Sequence, residues 1–159
     1  MKKILTAIVC FISVASAVAE SGQFESVSAG TVTVATNDFG NSRYSITNTS
    51  YTGTVIKSNV SFNPVGNINV SQCLGIVTVE NSMTSGSGAC MGSDSDGDKW
   101  RFNYVRGDST SQSVTGTADY IGLSGKFADV KGPCTYEQKR LVKDGVIHVT
   151  SLVKCSVSK

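Results

Sequence analysis

The dipeptide Asp144-Gly145 stands between two runs of strand-forming residues, 135–142 and 146–153. Asp-Gly suits the two-residue turn of a β-hairpin because both central positions must tolerate positive φ. A two-residue turn there makes Lys143 face Val146, and every other facing pair follows by counting outward. Cys134 and Cys155 stand at equal distances from that turn and therefore face each other. Counting back from the hydrogen-bonded 143–146 pair, even-numbered positions of the first strand fall at non-hydrogen-bonded pairs, where Cα atoms are about 4.5 Å apart. A disulfide accepts Cα separations of roughly 4.4–6.8 Å, so the register predicts a Cys134–Cys155 bond.

The remaining cysteines fit an exported chain. Residues 1–19 read as a secretory signal: Lys2 and Lys3, an apolar run, then Ala17-Val18-Ala19 as a small-residue cleavage site. Cys10 lies inside that segment, which leaves Cys73, Cys90, Cys134 and Cys155 in the mature chain. An even count in an exported protein implies disulfides, and by elimination Cys73 pairs with Cys90 across a loop expected around residues 81–87. Losing Lys2 and Lys3 takes the formal net charge from +2 to zero, which disfavours a nucleic-acid partner. No other segment is apolar for long enough to make a membrane helix. A soluble periplasmic or secreted protein is expected, with residues 20–159 forming one domain.

Composition decides the fold class. The mature chain holds 17 valines against 4 leucines, and stiff β-branched side chains fit pleated sheets better than helices. Strand-like runs with turn punctuation recur at 23–28, 31–35, 43–47, 54–62, 68–70, 76–83, 99–106 and 113–121, followed by the final hairpin. No window shows helical periodicity, so an all-β domain with minimal helix is expected, a barrel or a β-sandwich. Alternation is sharpest at 99–106, where Trp100, Phe102 and Tyr104 share one face and Lys99, Arg101 and Asn103 the other.

The run Gly122-Leu123-Ser124-Gly125-Lys126-Phe127-Ala128-Asp129-Val130-Lys131-Gly132 resembles the G-G-T-G-x-F-x-x-x-x-G signature of allene oxide cyclase and dirigent barrels. Together with Asp94-Ser95-Asp96-Gly97-Asp98-Lys99 and Cys134-Thr135-Tyr136 it is most similar to small exported bacterial proteins of that type. The resemblance covers residues 90–137. It implies a single antiparallel β-barrel of about eight strands, calycin/allene oxide cyclase-like, with an apolar interior. In physical terms Gly125 and Gly132 would supply positive φ or close backbone approach at a sharp corner, and Phe127 would tuck into the core between them.

Few residues carry chemistry. Asp94, Asp96 and Asp98 form the densest charge cluster, but a calcium loop needs glycine where Lys99 stands and a closing acid where Val105 stands. They are weak candidate metal ligands, and a solvated Asp-Gly turn leading into the aromatic strand is the preferred reading. The sole histidine, His148, falls on the wet face of its strand, and no nucleophile, phosphate or dinucleotide motif occurs. No catalytic residue and no cofactor are assigned. Trp100, Phe102, Tyr104 and Tyr120 are the candidate ligand-binding residues, with the two tyrosine hydroxyls as polar handles. The reading that follows is a non-enzymatic barrel binding a small apolar ligand. The alternatives are a protein-binding module, such as an inhibitor of a secreted hydrolase, and a cofactor-free cyclase or dirigent-like enzyme using Tyr104, Tyr120 and Glu80.

Overall fold

In the computed structural model, which describes residues 19–159, the alternating and β-branched runs form eight strands. These are β1 (Ser21–Phe39), β2 (Ser42–Ser58), β3 (Ile68–Glu80), β4 (Met83–Asp94), β5 (Lys99–Ser109), β6 (Ser113–Gly122), β7 (Lys131–Lys143) and β8 (Val146–Ser158). A single 3₁₀ turn, Gly125–Phe127, interrupts the β6–β7 connection. Each strand pairs antiparallel with its neighbours in sequence, and β1 pairs with β8 from Ser21↔Ser158 to Val32↔Ile147. The ring is closed, so the fold is a barrel and not a sandwich. The expected signal segment lies outside the described residues except for Ala19.

The final hairpin has the register that its turn dictates. Asp144 and Gly145 both take positive φ, Lys143 faces Val146, and Cys134 faces Cys155 in a disulfide. Cys73 and Cys90 are likewise joined across β3 and β4. Here the expected loop at 81–87 is replaced by a two-residue turn, with Asn81 and Ser82 both at positive φ. Asparagine tolerates that conformation at modest cost, and residues 83–87 are already strand.

The strands are also longer than the punctuation suggested. The runs at 23–28 and 31–35 merge into β1, those at 43–47 and 54–58 into β2, and those at 68–70 and 76–80 into β3. Gly30 lies inside β1, and its missing Cβ leaves room for the carbonyl of Ser50 on the adjacent strand. Residues 59–62 of the run expected at 54–62 leave the sheet, and residues 81–82 of the run expected at 76–83 form the β3–β4 turn.

β4 and β5 explain how eight strands enclose a space. An eight-stranded barrel is just wide enough to be filled by side chains or to hold one small ligand. The inward face of β5 carries Trp100, Phe102, Tyr104 and Arg106, and β4 opposes Gly92 to Trp100, Cys90 to Phe102 and Gly88 to Tyr104. Small positions on one strand thus accept large side chains from the next. Trp100 lies across Gly92 so closely that any Cβ there would overlap its indole.

Odd and even ends of the barrel differ. One end carries the four short hairpins β1–β2, β3–β4, β5–β6 and β7–β8. The other is plugged by the longer β2–β3 and β6–β7 connections, whose Val60, Phe62, Phe127 and Val130 are buried against Phe24, Trp100 and Tyr120. Trp100 is held there by Phe102 at 4.8 Å between ring centroids and by Tyr120 at 6.1 Å, so it has no room to yield. Gly92→Ala is therefore expected to lower stability by about 1–3 kcal/mol through overpacking and to shift the emission of Trp100, the single tryptophan of the chain. Chemical denaturation followed by fluorescence checks both; an unchanged midpoint and spectrum would contradict the seating of the indole on β4.

Candidate functional site

Side chains that alternate inward along all eight strands surround a cavity of about 540 Å³, within the range of small-molecule sites. Its lining changes along the barrel axis. At the plugged end it is aromatic: Tyr120 is a hub, with Phe102 at 5.3 Å, Phe24 at 5.5 Å and Phe127 at 6.3 Å between centroids. The middle is a belt of hydroxyls and amides, including Thr47, Thr49, Tyr51, Tyr104, Tyr136, Gln138 and Ser151. Towards the hairpin end come Val32, Val34 and Ile147 together with Arg106 and Arg140. Val34 faces inward yet is 45% exposed, so the cavity opens to solvent at that end.

All four candidate ligand-binding residues line this space, but not equally. Trp100 and Tyr120 are also part of the buried cluster, whereas Phe102 and Tyr104 are only partly buried beside it. Burial pushes the Tyr120 phenol up, with the charge of Asp94 adding to the effect, and its hydroxyl has no partner among protein atoms. Burial likewise raises Tyr104, and it pushes Tyr51 and Tyr136 up to about 12. Gln138 donates to the Tyr51 hydroxyl. These phenols stay protonated at neutral pH and are donors, not bases.

Several lining residues escaped the sequence reading. Arg106 continues the Trp100, Phe102, Tyr104 alternation by one further step, and Tyr136, Gln138 and Arg140 continue that of Cys134 on β7. Extending each face by period two would have found them. Glu80, by contrast, does not reach the interior: it is exposed on the outer face and accepts a hydrogen bond from Tyr44 at 2.9 Å. His148 is exposed on the outward face of β8.

The three aspartates lie at the plugged end, on the β4–β5 turn, with carboxylate oxygens within 4.8 Å of one another. Lys126 Nζ stands 2.6 Å from both Asp94 and Asp96. Asp94 Oδ1 also accepts the backbone N–H groups of Asp96 and Asp98 at 3.0 Å each, and Asp98 accepts the N–H of Lys126 at 3.1 Å. The cluster therefore has a protein cation of its own, and it ties the β6–β7 connection onto the β4–β5 turn. Gly125 takes φ +57° beside Asp98, Phe127 is fully buried, and Gly132 lets the Ser156 carbonyl approach.

Among the described residues no helix is long and apolar enough to cross a membrane. No family model, curated protein or solved structure matches the chain.

Burial alone would push the Asp94 carboxyl up, but Lys126 and the backbone N–H groups outweigh it and hold the group below its usual range. A carboxyl lowered in the folded state stabilises above its unfolded pKa of about 3.9, and that stability is lost as pH falls through the folded value. Lys126→Met is expected to cost about 3 kcal/mol at neutral pH, because it strands a buried carboxylate. Without Lys126 the Asp94 carboxyl is no longer held so far below its unfolded pKa, so the deficit of the variant relative to the wild type shrinks as pH falls through the acid range. Denaturation midpoints measured across the acid range check this, and a variant with the wild-type pH profile would refute it.

Proposed function

We propose that the protein is an exported, non-enzymatic barrel that holds a small, largely apolar molecule in its interior. The observation that carries this reading is the cavity of about 540 Å³ that remains between the aromatic plug and the hairpin end. A barrel serving only as a scaffold for protein contacts has no need of an unfilled interior. The resemblance to allene oxide cyclase and dirigent barrels belongs to the same proposal, since those folds also enclose an apolar space. The cysteines support export: both pairs are at bonding distance, which suits an oxidising periplasmic or extracellular setting.

Holding a molecule is favoured over transforming it by the donor set. Among the described residues no aspartate, glutamate, lysine or histidine lines the cavity, and its buried phenols are held in the protonated form. A cyclase would need a group able to take or give a proton at the reacting atom, and Glu80 is outside the barrel.

The mature protein is expected to bind a fluorescent hydrophobic probe with one-to-one stoichiometry and to show quenching of Trp100 as the probe enters. Thr49, buried on the cavity wall, offers a way to fill the space: Thr49→Phe should remove probe binding while the protein remains folded by circular dichroism. Absence of probe binding by the wild type, or undiminished binding by a folded Thr49→Phe variant, would overturn the reading.

A further inference from the structure

The cavity contains charge that no carboxylate among the described residues pairs with. Among the described lining residues Arg106 and Arg140 are the only ionised side chains. Arginine remains protonated in proteins, and a guanidinium drawn partly out of water gains from a carboxylate or phosphate beside it; both side chains here are half-buried. Here Arg140 Nη2 donates to the Thr110 carbonyl at 2.7 Å, a neutral acceptor. The Nε atoms of both arginines are buried with no partner among protein atoms. Burial lowers the Arg106 pKa, and the neighbouring charge of Arg140 lowers it further.

Both side chains are aimed at the interior by the strand period. Arg106 is the last member of the inward row that begins at Trp100, and its stem lies over Gly86 on β4, with Cδ 3.4 Å from where a Cβ would stand. Had the arginines served solubility, either could have pointed outward, as Lys139 and Lys154 do.

We propose that Arg106 and Arg140 together bind the carboxylate of an amphipathic ligand, an unbranched chain with one terminal acid, whose apolar tail runs towards Trp100, Phe102 and Tyr120. This rests on the reading of the barrel as a binding protein and names the class of molecule bound. A planar carboxylate accepts paired N–H donors from guanidinium, and such charge-assisted bonds are about twice as strong as neutral ones. The span is suitable: Arg106 and Trp100 are six positions apart on β5, about 20 Å along a strand and less along the axis of a tilted barrel. A medium-length acyl chain fits within that distance. The hydroxyl belt lies alongside the tail, and the arginines lie near the solvent-open end, so the head group stays by the mouth while the chain is buried.

The test is displacement of a bound fluorescent hydrophobic probe from the mature protein by decanoate, decanol and methyl decanoate. Decanoate is expected to compete at least about ten-fold better than the two uncharged molecules, in line with hydrogen bonds to a charged group. Arg106→Gln and Arg140→Gln should each remove that preference and leave competition by decanol unchanged. Equal competition by acid, alcohol and ester in the wild type would overturn the proposal without any variant being made, and so would a preference that survives both substitutions. These outcomes leave the cavity itself in place. Failure of the wild type to bind the probe at all would instead remove the underlying reading and the arginine site with it.

Discussion

Closure of the sheet is the constraint from which the other features follow. A strand at the edge of a sheet exposes a row of unpaired backbone donors and acceptors, and here β1 and β8 satisfy each other along nearly the whole of β8. Without that ladder the molecule would be a curved eight-stranded sheet with two long polar edges, and it would have no interior. With it, the pleat sorts every side chain into inside or outside by parity alone, and function is confined to the inward set.

The size of the interior then depends on an imbalance between neighbouring strands. β5 contributes three aromatic rings and an arginine, while β4 contributes glycines and a cysteine in the same row. Large inward side chains can therefore lie flat against the wall. If β4 carried valine or leucine at positions 86, 88 and 92, the rings of β5 would be driven into the lumen and the cavity would be lost. The plugged end is fastened separately, by the hydrogen bonds that join Asp94, Asp98 and Lys126.

Much of this was legible in the residues. Asp144-Gly145 set the register of the last hairpin, and with it the Cys134–Cys155 pair, because a two-residue turn admits no slippage. The aromatic alternation of β5 located the wet and dry faces, and the glycines flanking Phe127 marked a corner. What was hidden was hidden for physical reasons. Ser85-Gly86-Ser87-Gly88 looks like a linker when read alone, and its glycines make sense as strand residues only once Tyr104 and Arg106 are known to lie over them. Serine, threonine and asparagine inside β1 to β3 read as turn punctuation, because a strand facing solvent on one side and the hydroxyl belt of the cavity on the other lacks the usual apolar stripe. Arg106 and Arg140 were missed because the interior was expected to be greasy, and charges are rarely placed in such a space.

The Cys73–Cys90 bridge lines the cavity and the Cys134–Cys155 bridge lies in the buried cluster, with Cys73, Cys134 and Cys155 at most 5% exposed. A protein oxidant is too large to reach sulfur atoms behind the completed wall. The bridges within the β3–β4 and β7–β8 hairpins must therefore be made while the sheet is still ajar, before its first strand meets its last. Since the first strand leaves the ribosome long before the eighth, its polar edge has to wait unpaired for the rest of the chain. Thiol chemistry and edge pairing are thus ordered in time by geometry alone: hairpins first, sulfur next, and the seam between the two ends of the chain last.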